Sequence, residues 1–368
     1  MRKLVVIIWI LLTSVHSFGQ NEQEEFFKAD TVKFKKNLRI IPVPIVFYTP
    51  ETQFGFGVGV QTFLYSKSNI YNSRESNIFL SAMYTTEKQF MLDIIPQLFF
   101  NKGDLFFDGL FRYRIFPNKF WGIGNNTPDS NEEVYNMETI IVEAAILKRL
   151  PTDLNFGFEY KFDKYTMLEV EEGGILDSGE IPGSDGATIS GLFFVFNLDD
   201  RDNIFSTRNG NFMQLRAGFS SKVLGASHSF NKYIIDLRKY FVLGKKGGLA
   251  SQIYFEGTFG DVPFQSMAWL GGGDRTRGYY KGRFIDHNMY AIQAEYRNRF
   301  HKRWAFATFI SIGEVAGKPV DYFNSIKYSF GGGIRFQLLK NNPTLIRFDV
   351  GIGRDGNNGV YFGVNEAF

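Results

Sequence analysis

Apolar and polar residues alternate along most of this 368-residue chain with the period of an extended strand. Over residues 154–165, Phe156, Phe158, Tyr160 and Phe162 share one side, and Gly157, Glu159, Lys161 and Asp163 share the other. Residues 105–116 set Phe107, Phe111, Tyr113 and Ile115 against Asp108, Arg112 and Arg114, and residues 345–353 set Ile346, Phe348 and Val350 against Arg347 and Asp349. One face of each segment suits lipid and the other suits water. After Leu38 no apolar run reaches the ~18 residues of a transmembrane helix, so a membrane crossing has to use strands. Bounded by turn residues, such segments predict about sixteen strands, at 39–49, 53–65, 77–86, 89–100, 105–116, 137–150, 154–166, 188–198, 211–220, 229–242, 249–259, 288–300, 304–312, 326–339, 344–353 and 359–368. With the amino-terminal end in the periplasm, every even-numbered connection lies on that side. Those at 101–104, 151–153, 244–248, 301–303 and 340–343 are short, as periplasmic turns are, and the long connections 117–136, 167–187 and 258–287 fall outside.

Composition fits an apolar exterior around a polar lumen, with 41 Phe, 18 Tyr, 38 Gly and a charged fraction of 21%. A soluble β-sandwich would alternate too, but here strand after strand carries aromatic residues on its apolar face. Met1-Arg2-Lys3, an apolar core over 4–12 and Ser17-Phe18-Gly19 read as a signal peptide over residues 1–19. Its nine apolar residues fall far short of the ~20 that span a bilayer as a helix. The polar stretch 20–38 reads as a short periplasmic tail, and 39–368 as one barrel in the outer membrane of a Gram-negative cell. A net charge of +3 without a basic run excludes nucleic acid as a partner. With no cysteine there are no disulfides, no thiolate metal site and no lipoprotein anchor.

One stretch breaks the pattern. Residues 271–284, GGGDRTRGYYKGRF, begin with three glycines and continue with Arg275, Arg277, Lys281 and Arg283. A loop so charged needs water or carboxylates around it. Arg277-Gly278-Tyr279-Tyr280 resembles the Arg-Gly-Phe/Tyr motif in the sixth extracellular loop of the BamA/TamA outer-membrane assembly-factor superfamily, the bacterial surface antigen barrels. The resemblance implies an all-β fold, a transmembrane antiparallel β-barrel of about sixteen strands with this extracellular loop folded into the lumen. It also implies that Arg277 meets acidic residues on the inner wall. Glu295, which shares the inner face of 288–300 with Gln293 and Arg297, is the first candidate. The family pattern would place another acid at Phe-x-Asp-x-Gly in the next strand. Here the residues are Phe309-Ile310-Ser311-Ile312-Gly313, so Ser311 can only accept a hydrogen bond from Arg277. The stretch 20–38 is too short for the polypeptide-transport-associated domains of the assembly factors, which implies a short form.

Other motifs add to the resemblance. Asp199-Asp200-Arg201-Asp202-Asn203 with Gly210 resembles the Asp-x-Arg-Asp-Asn…Pro…Gly periplasmic turn of the superfamily, with Thr207 in the proline's place. Asp200, Arg201, Asp202, Asn203 and Gly210 are read as a strand-capping turn, because nothing else in the sequence converges on the aspartates as a metal site requires. Residues 116–125, FPNKFWGIGN, resemble a loop of short family members and suit an aromatic anchor at the membrane interface. Val360, Phe362, Val364, Glu366 and Phe368 share a face of the last segment, and its final aromatic resembles the signal that hands outer-membrane barrels to their assembly machinery. Near the periplasmic interface a charge such as Glu366 on the lipid face costs roughly 0 to 1 kcal/mol. Asp286-His287 has no identifiable nucleophile partner. No zinc spacing, phosphate-cradling loop or nucleophile elbow occurs, so no catalytic residue, metal or cofactor is expected.

The seam between first and last strand is the remaining candidate. Pro42 and Pro44 lack N–H donors on one side of the pleat in 39–49, so closure against 359–368, which ends at Phe368, is expected to be the weakest pairing. The resemblance implies that substrates enter the bilayer at this seam. The expected function is assisting the insertion or translocation of proteins or lipids at the outer membrane. Outer-membrane lipid, lipopolysaccharide and accessory periplasmic or outer-membrane proteins are the expected partners. A passive pore or structural barrel is the alternative.

Overall fold

The computed structural model describes residues 38–64, 76–150, 154–203, 206–337 and 345–368. The signal peptide and tail expected ahead of the barrel lie outside those residues, apart from Leu38, which opens the first strand. The connections expected at 151–153 and 340–343 lie outside them as well. Among the described residues sixteen antiparallel strands close into a barrel. They are β1 (Leu38–Thr49), β2 (Gln53–Leu64), β3 (Ser76–Thr85), β4 (Phe90–Phe100), β5 (Leu105–Phe120), β6 (Glu133–Arg149), β7 (Leu154–Glu169), β8 (Ala187–Asp199), β9 (Gly210–Ser220), β10 (Phe230–Leu243), β11 (Gly247–Gly260), β14 (Asn288–Arg299), β15 (Trp304–Ala316), β16 (Lys327–Gln337), β17 (Leu345–Gly353) and β18 (Asn358–Val364). Two short strands, β12 (Ala268–Leu270) and β13 (Phe284–Asp286), pair with each other within the connection from β11 to β14. Closure is the physical requirement of strands in lipid, where a free sheet edge leaves N–H and C=O groups without partners.

Alternation sorts the two faces. Phe54, Phe56 and Val58 on β2, Phe158 on β7 and Ile310 on β15 are each more than half exposed and form the apolar belt. Inside, charges on the same or nearby strands neutralise in pairs. Asp93 on β4 faces Arg112 on β5, with Nε to Oδ1 at 2.7 Å. Glu143 on β6 faces Lys161 on β7 and pairs with it. Glu159 on β7 pairs with Arg216 on β9, and Asp236 with Arg238 along β10. The barrel holds a core at the end that carries its long connections, where Phe120, Tyr135, Phe264 and Ile285 are buried together.

Several boundaries differ from the sequence reading. β5 and β6 remain paired to Phe120↔Glu133, and β7 reaches Glu169, so much of 117–136 and the start of 167–187 is strand rather than loop. Backbone pairing does not stop at the edge of the lipid; only the apolar alternation fades there. β15 likewise continues past 312 to Ala316. The last strand does the opposite and ends at Val364. Asn365 takes a φ of 65°, its N–H donates to Leu345 O at 2.7 Å, and the chain leaves the wall. Glu366 and Phe368 therefore do not sit on the lipid face. Glu366 Oε2 accepts from Arg335 Nε at 2.9 Å, and Phe368 is buried against Tyr240 and Ala250.

The seam is short. β1 pairs with β2 along twelve residues, from Leu38↔Leu64 to Thr49↔Gln53, and with β18 at Tyr48↔Phe362. Pro42 and Pro44 are exposed and lie opposite Val60 and Val58 of β2, on the periplasmic side of that contact. Phe368, expected in the seam strand, lies instead in the lumen, because the turn at Asn365 carries it there.

Candidate functional site

The connection from β11 to β14 folds back into the lumen, where Arg277 meets the inner wall. The side chain is 1% exposed. Its Nη2 lies 2.5 Å from Glu295 Oε2 on β14, and its Nη1 lies 2.7 Å from Asp349 Oδ2 on β17. Both carboxylates are fully buried. Below the guanidinium, Phe309 of β15 offers its ring face, with its centroid 3.6 Å from Cζ. A buried cation over an aromatic face gains on the order of 2 kcal/mol beyond its ion pairs. Breaking a buried pair of this kind costs about 3 to 5 kcal/mol.

Further arginines complete a closed ring of charge. Arg335 on β16 pairs with Asp349 and lies 3.4 Å from Glu295 Oε2. Arg297 on β14 donates from Nε to Glu295 Oε1 at 2.7 Å. Arg347 on β17 stands 3.6 Å from Asp349 Oδ2 and donates to Gly273 O at 3.2 Å. The loop is thus held by its charge and by its backbone.

The wall facing the loop is bare where the loop touches it. A side chain at Gly351 would place its Cβ 2.7 Å from the Arg277 carbonyl carbon and oxygen, so no larger residue fits there without moving the loop. Gly278 has a φ of 116°, a left-handed conformation that favours glycine, and its N–H donates to Tyr361 Oη at 2.9 Å. Tyr279 is fully buried, donates to Tyr328 O at 2.8 Å and accepts from Arg354 N at 2.8 Å. Burial pushes its hydroxyl up to about 12. Tyr280 packs edge-on against Trp121, with centroids 5.4 Å apart.

Of the segment 116–125, expected at the membrane interface, residues 116–120 belong to β5 and residues 121–125 cross the barrel mouth. Trp121 is 3% exposed, and Arg283 lies 5.1 Å above its ring. Gly124 N donates to Ile285 O at 2.7 Å, and Asn125 Nδ2 donates to Glu314 Oε1 at 2.8 Å, which ties this loop to the far side of the barrel mouth. Glu314 also accepts from Phe323 N at 2.6 Å and Ser325 N at 2.7 Å. The reach of 121–125 across the mouth was hidden from sequence because aromatic residues serve equally at a lipid interface and in a packed core.

The structure brings Arg277 and Glu295 together and sets Ser311 apart from them. Ser311 Oγ lies 2.6 Å from Ser329 Oγ, and Phe309 occupies the neighbouring place under the guanidinium. Sequence reasoning missed Asp349 as a partner, although the alternation had put it on the inner face. The periplasmic turn meets the site at Thr207, whose carbonyl oxygen accepts from Arg297 Nη1 at 3.4 Å. Arg201 pairs with Asp199 at 2.7 Å, Asp200 accepts from Asn211 Nδ2 at 2.8 Å, Asp202 accepts from Arg208 N at 3.0 Å, and Asn203 Oδ1 accepts from Ser206 N at 3.0 Å, while Gly210 opens β9. These carboxylates serve the turn's own backbone and side chains. Asp286 accepts from His287 N at 2.8 Å, and burial raises its carboxyl above the ordinary range.

Comparison with known proteins agrees with this geometry. The crystal structure of BamA from Haemophilus ducreyi lacking POTRA domains 1-3 is similar over 89% of this chain and 70% of that one, with a TM-score of 0.60 and 12% identity. CdiB from Acinetobacter baumannii is similar over 90% of this chain, with a TM-score of 0.57 and 11% identity, and the match spans 60% of CdiB. Identities this low speak for the fold alone. No curated protein matches the sequence. The model of the Omp85 superfamily domain matches residues 97–368, most of the chain. With its sixteen-stranded barrel, this protein belongs to the Omp85 superfamily.

Proposed function

We propose that the barrel assists the insertion or translocation of proteins or lipids at the outer membrane, with accessory periplasmic or outer-membrane proteins as partners and with outer-membrane lipid and lipopolysaccharide around it. The observation that carries this reading is the contrast between a lumen filled by a locked loop and a seam paired at Tyr48↔Phe362. A passive pore needs an open lumen, whereas this one is crossed by the charge ring around Arg277 and capped by the core around Phe264. An insertion device needs instead a place where the wall is easily parted, and the seam supplies it. The signal peptide read at 1–19 and the strand-capping role of the 199–203 turn belong to the same reading.

Depletion followed by proteomic and lipid analysis of the outer membrane tests it. Selective loss of particular outer-membrane proteins or lipids is the expected result. A normal outer membrane after depletion, together with a large steady ion-selective conductance in planar bilayers, would replace this reading with the pore. Cysteines replacing Tyr48 and Phe362, which face each other across the seam, provide a second test when oxidised, since full activity with the seam closed would rule out passage there.

A further inference from the structure

The segment after β18 is bound into the same charge ring that holds Arg277, although it approaches from the opposite end of the lumen. Glu366 Oε2 lies 2.9 Å from Arg335 Nε and 3.7 Å from Arg297 Nε. Arg297 Nη2 donates to Phe368 O at 2.8 Å, and its guanidinium lies 5.5 Å from the Phe368 ring centroid. The Phe368 ring is buried with Tyr240 of β10 and Ala250 of β11, so the segment spans from the seam strand to a distant part of the wall. Arg297 and Arg335 are also the residues that share Glu295 with Arg277. Each of these two arginines therefore touches both the loop's carboxylate and the closing segment.

We propose that residues 366–368 are a latch coupled to the loop lock, so that release of either one loosens the other. If the segment leaves, Arg297 and Arg335 lose the Glu366 carboxylate and turn more fully to Glu295 and Asp349, competing with Arg277 for the same oxygens. If the loop leaves, the two carboxylates lose a cation and draw Arg297 and Arg335 away from Glu366. Linkage requires the two effects to be equal in factor. The device joins the extracellular loop to the periplasmic end of the seam strand through shared counter-ions and needs no movement of the strands between them. It is a property of the barrel and stands whatever the barrel inserts.

The test reads conformation rather than activity. In the full chain, Glu366→Gln removes the shared charge while keeping the side chain's shape, and trypsin added from outside reports exposure of Arg275, Arg277 and Lys281. Cleavage is expected to speed up by on the order of tenfold, within the range typical of coupled sites, while Glu143→Gln, on a wall outside the ring, leaves the rate unchanged. In the reverse direction, Ala367→Cys gives a single thiol in a chain with no cysteine. Its labelling by a water-soluble maleimide should rise several-fold when Arg277→Lys is added. A folded, heat-modifiable Glu366→Gln barrel whose loop is cut at the original rate would overturn the coupling. Should that variant fail to fold, the labelling arm decides alone: equal rates in the Arg277 and Arg277→Lys backgrounds overturn the proposal.

Discussion

Two stretches of inner wall, both charged, treat their charges differently. From β4 to β10 the acids find partners on their own or a nearby strand: Asp93 with Arg112 and Arg114, Glu143 with Lys161, Glu159 with Arg216, and Asp236 with Arg238, while Asp108 accepts from Gln97. That wall is complete without help from a loop. From β14 to β18 the wall carries Glu295 and Asp349 beside glycines, and there Arg277 joins the wall's own Arg297, Arg335 and Arg347 from outside the sheet. The first wall is a lining and the second is a receptor for the protein's own loop. Net polarity alone does not distinguish them; the location of the counter-ion does.

The largest expected effect comes from emptying the receptor. Arg277→Ala leaves Glu295 and Asp349 buried with one cation fewer and is expected to cost about 3 to 5 kcal/mol. A lower unfolding temperature of the heat-modifiable band and rapid protease cutting of the loop are the readouts, and unchanged values for both would end the idea of a lock. Gly351→Val attacks the same fit from the wall side. Its side chain would overlap the Arg277 backbone, and overpacking of this kind costs roughly 1 to 3 kcal/mol, to be measured by the same two assays.

The lining should be far more tolerant. Asp93→Asn leaves Arg112 and Arg114, whose side chains are 25% and 30% exposed, in reach of water. A loss of at most about 1 kcal/mol is expected. A loss matching that of Arg277→Ala would erase the distinction between the walls. The smallest effect concerns the cap. Because burial raises the Asp286 carboxyl, the fold favours its protonated form. This stabilisation is complete below the ordinary value of 3.8 and is lost as pH rises through the higher folded value. Asp286→Asn should therefore flatten the pH dependence of the unfolding temperature above pH 3.8 and slightly raise that temperature at neutral pH. A steeper profile in the variant would contradict the sign.

The barrel was legible because period-two alternation is a property of any extended chain between lipid and water. Phe156 to Asp163 declares both faces of β7 with no knowledge of its neighbours. What alternation cannot see is where the backbone stops being extended. Glu366 and Phe368 keep the parity of Val364 in sequence, yet one left-handed residue, Asn365, sends both into the lumen. Parity also marks a residue as inward without naming its partner. The sequence reading names Glu295 because it shares the inner face of 288–300 with Gln293 and Arg297, and it misses Asp349, equally inward but 72 residues from Arg277. Residues 117–120 were read as loop for the converse reason, since above the lipid a paired ribbon has no need of an apolar face.

The distance between Arg277 and Asp349 also has a meaning for how the barrel comes to be made. The loop precedes β15, β16, β17 and β18 in the chain, so the lumen receives its occupant from a part of the sequence that comes before the strands that finally enclose it. Asp349 reaches Arg277 only when β17 is in place and in the correct register. A slip of one residue along β16 would turn Asp349 toward lipid and Phe348 or Val350 toward the arginine. The buried cation then acts as a checkpoint of assembly: a misaligned closing strand leaves it Glu295 without Asp349, and the several kcal/mol lost with a broken buried pair set the correct enclosure apart from its nearest errors.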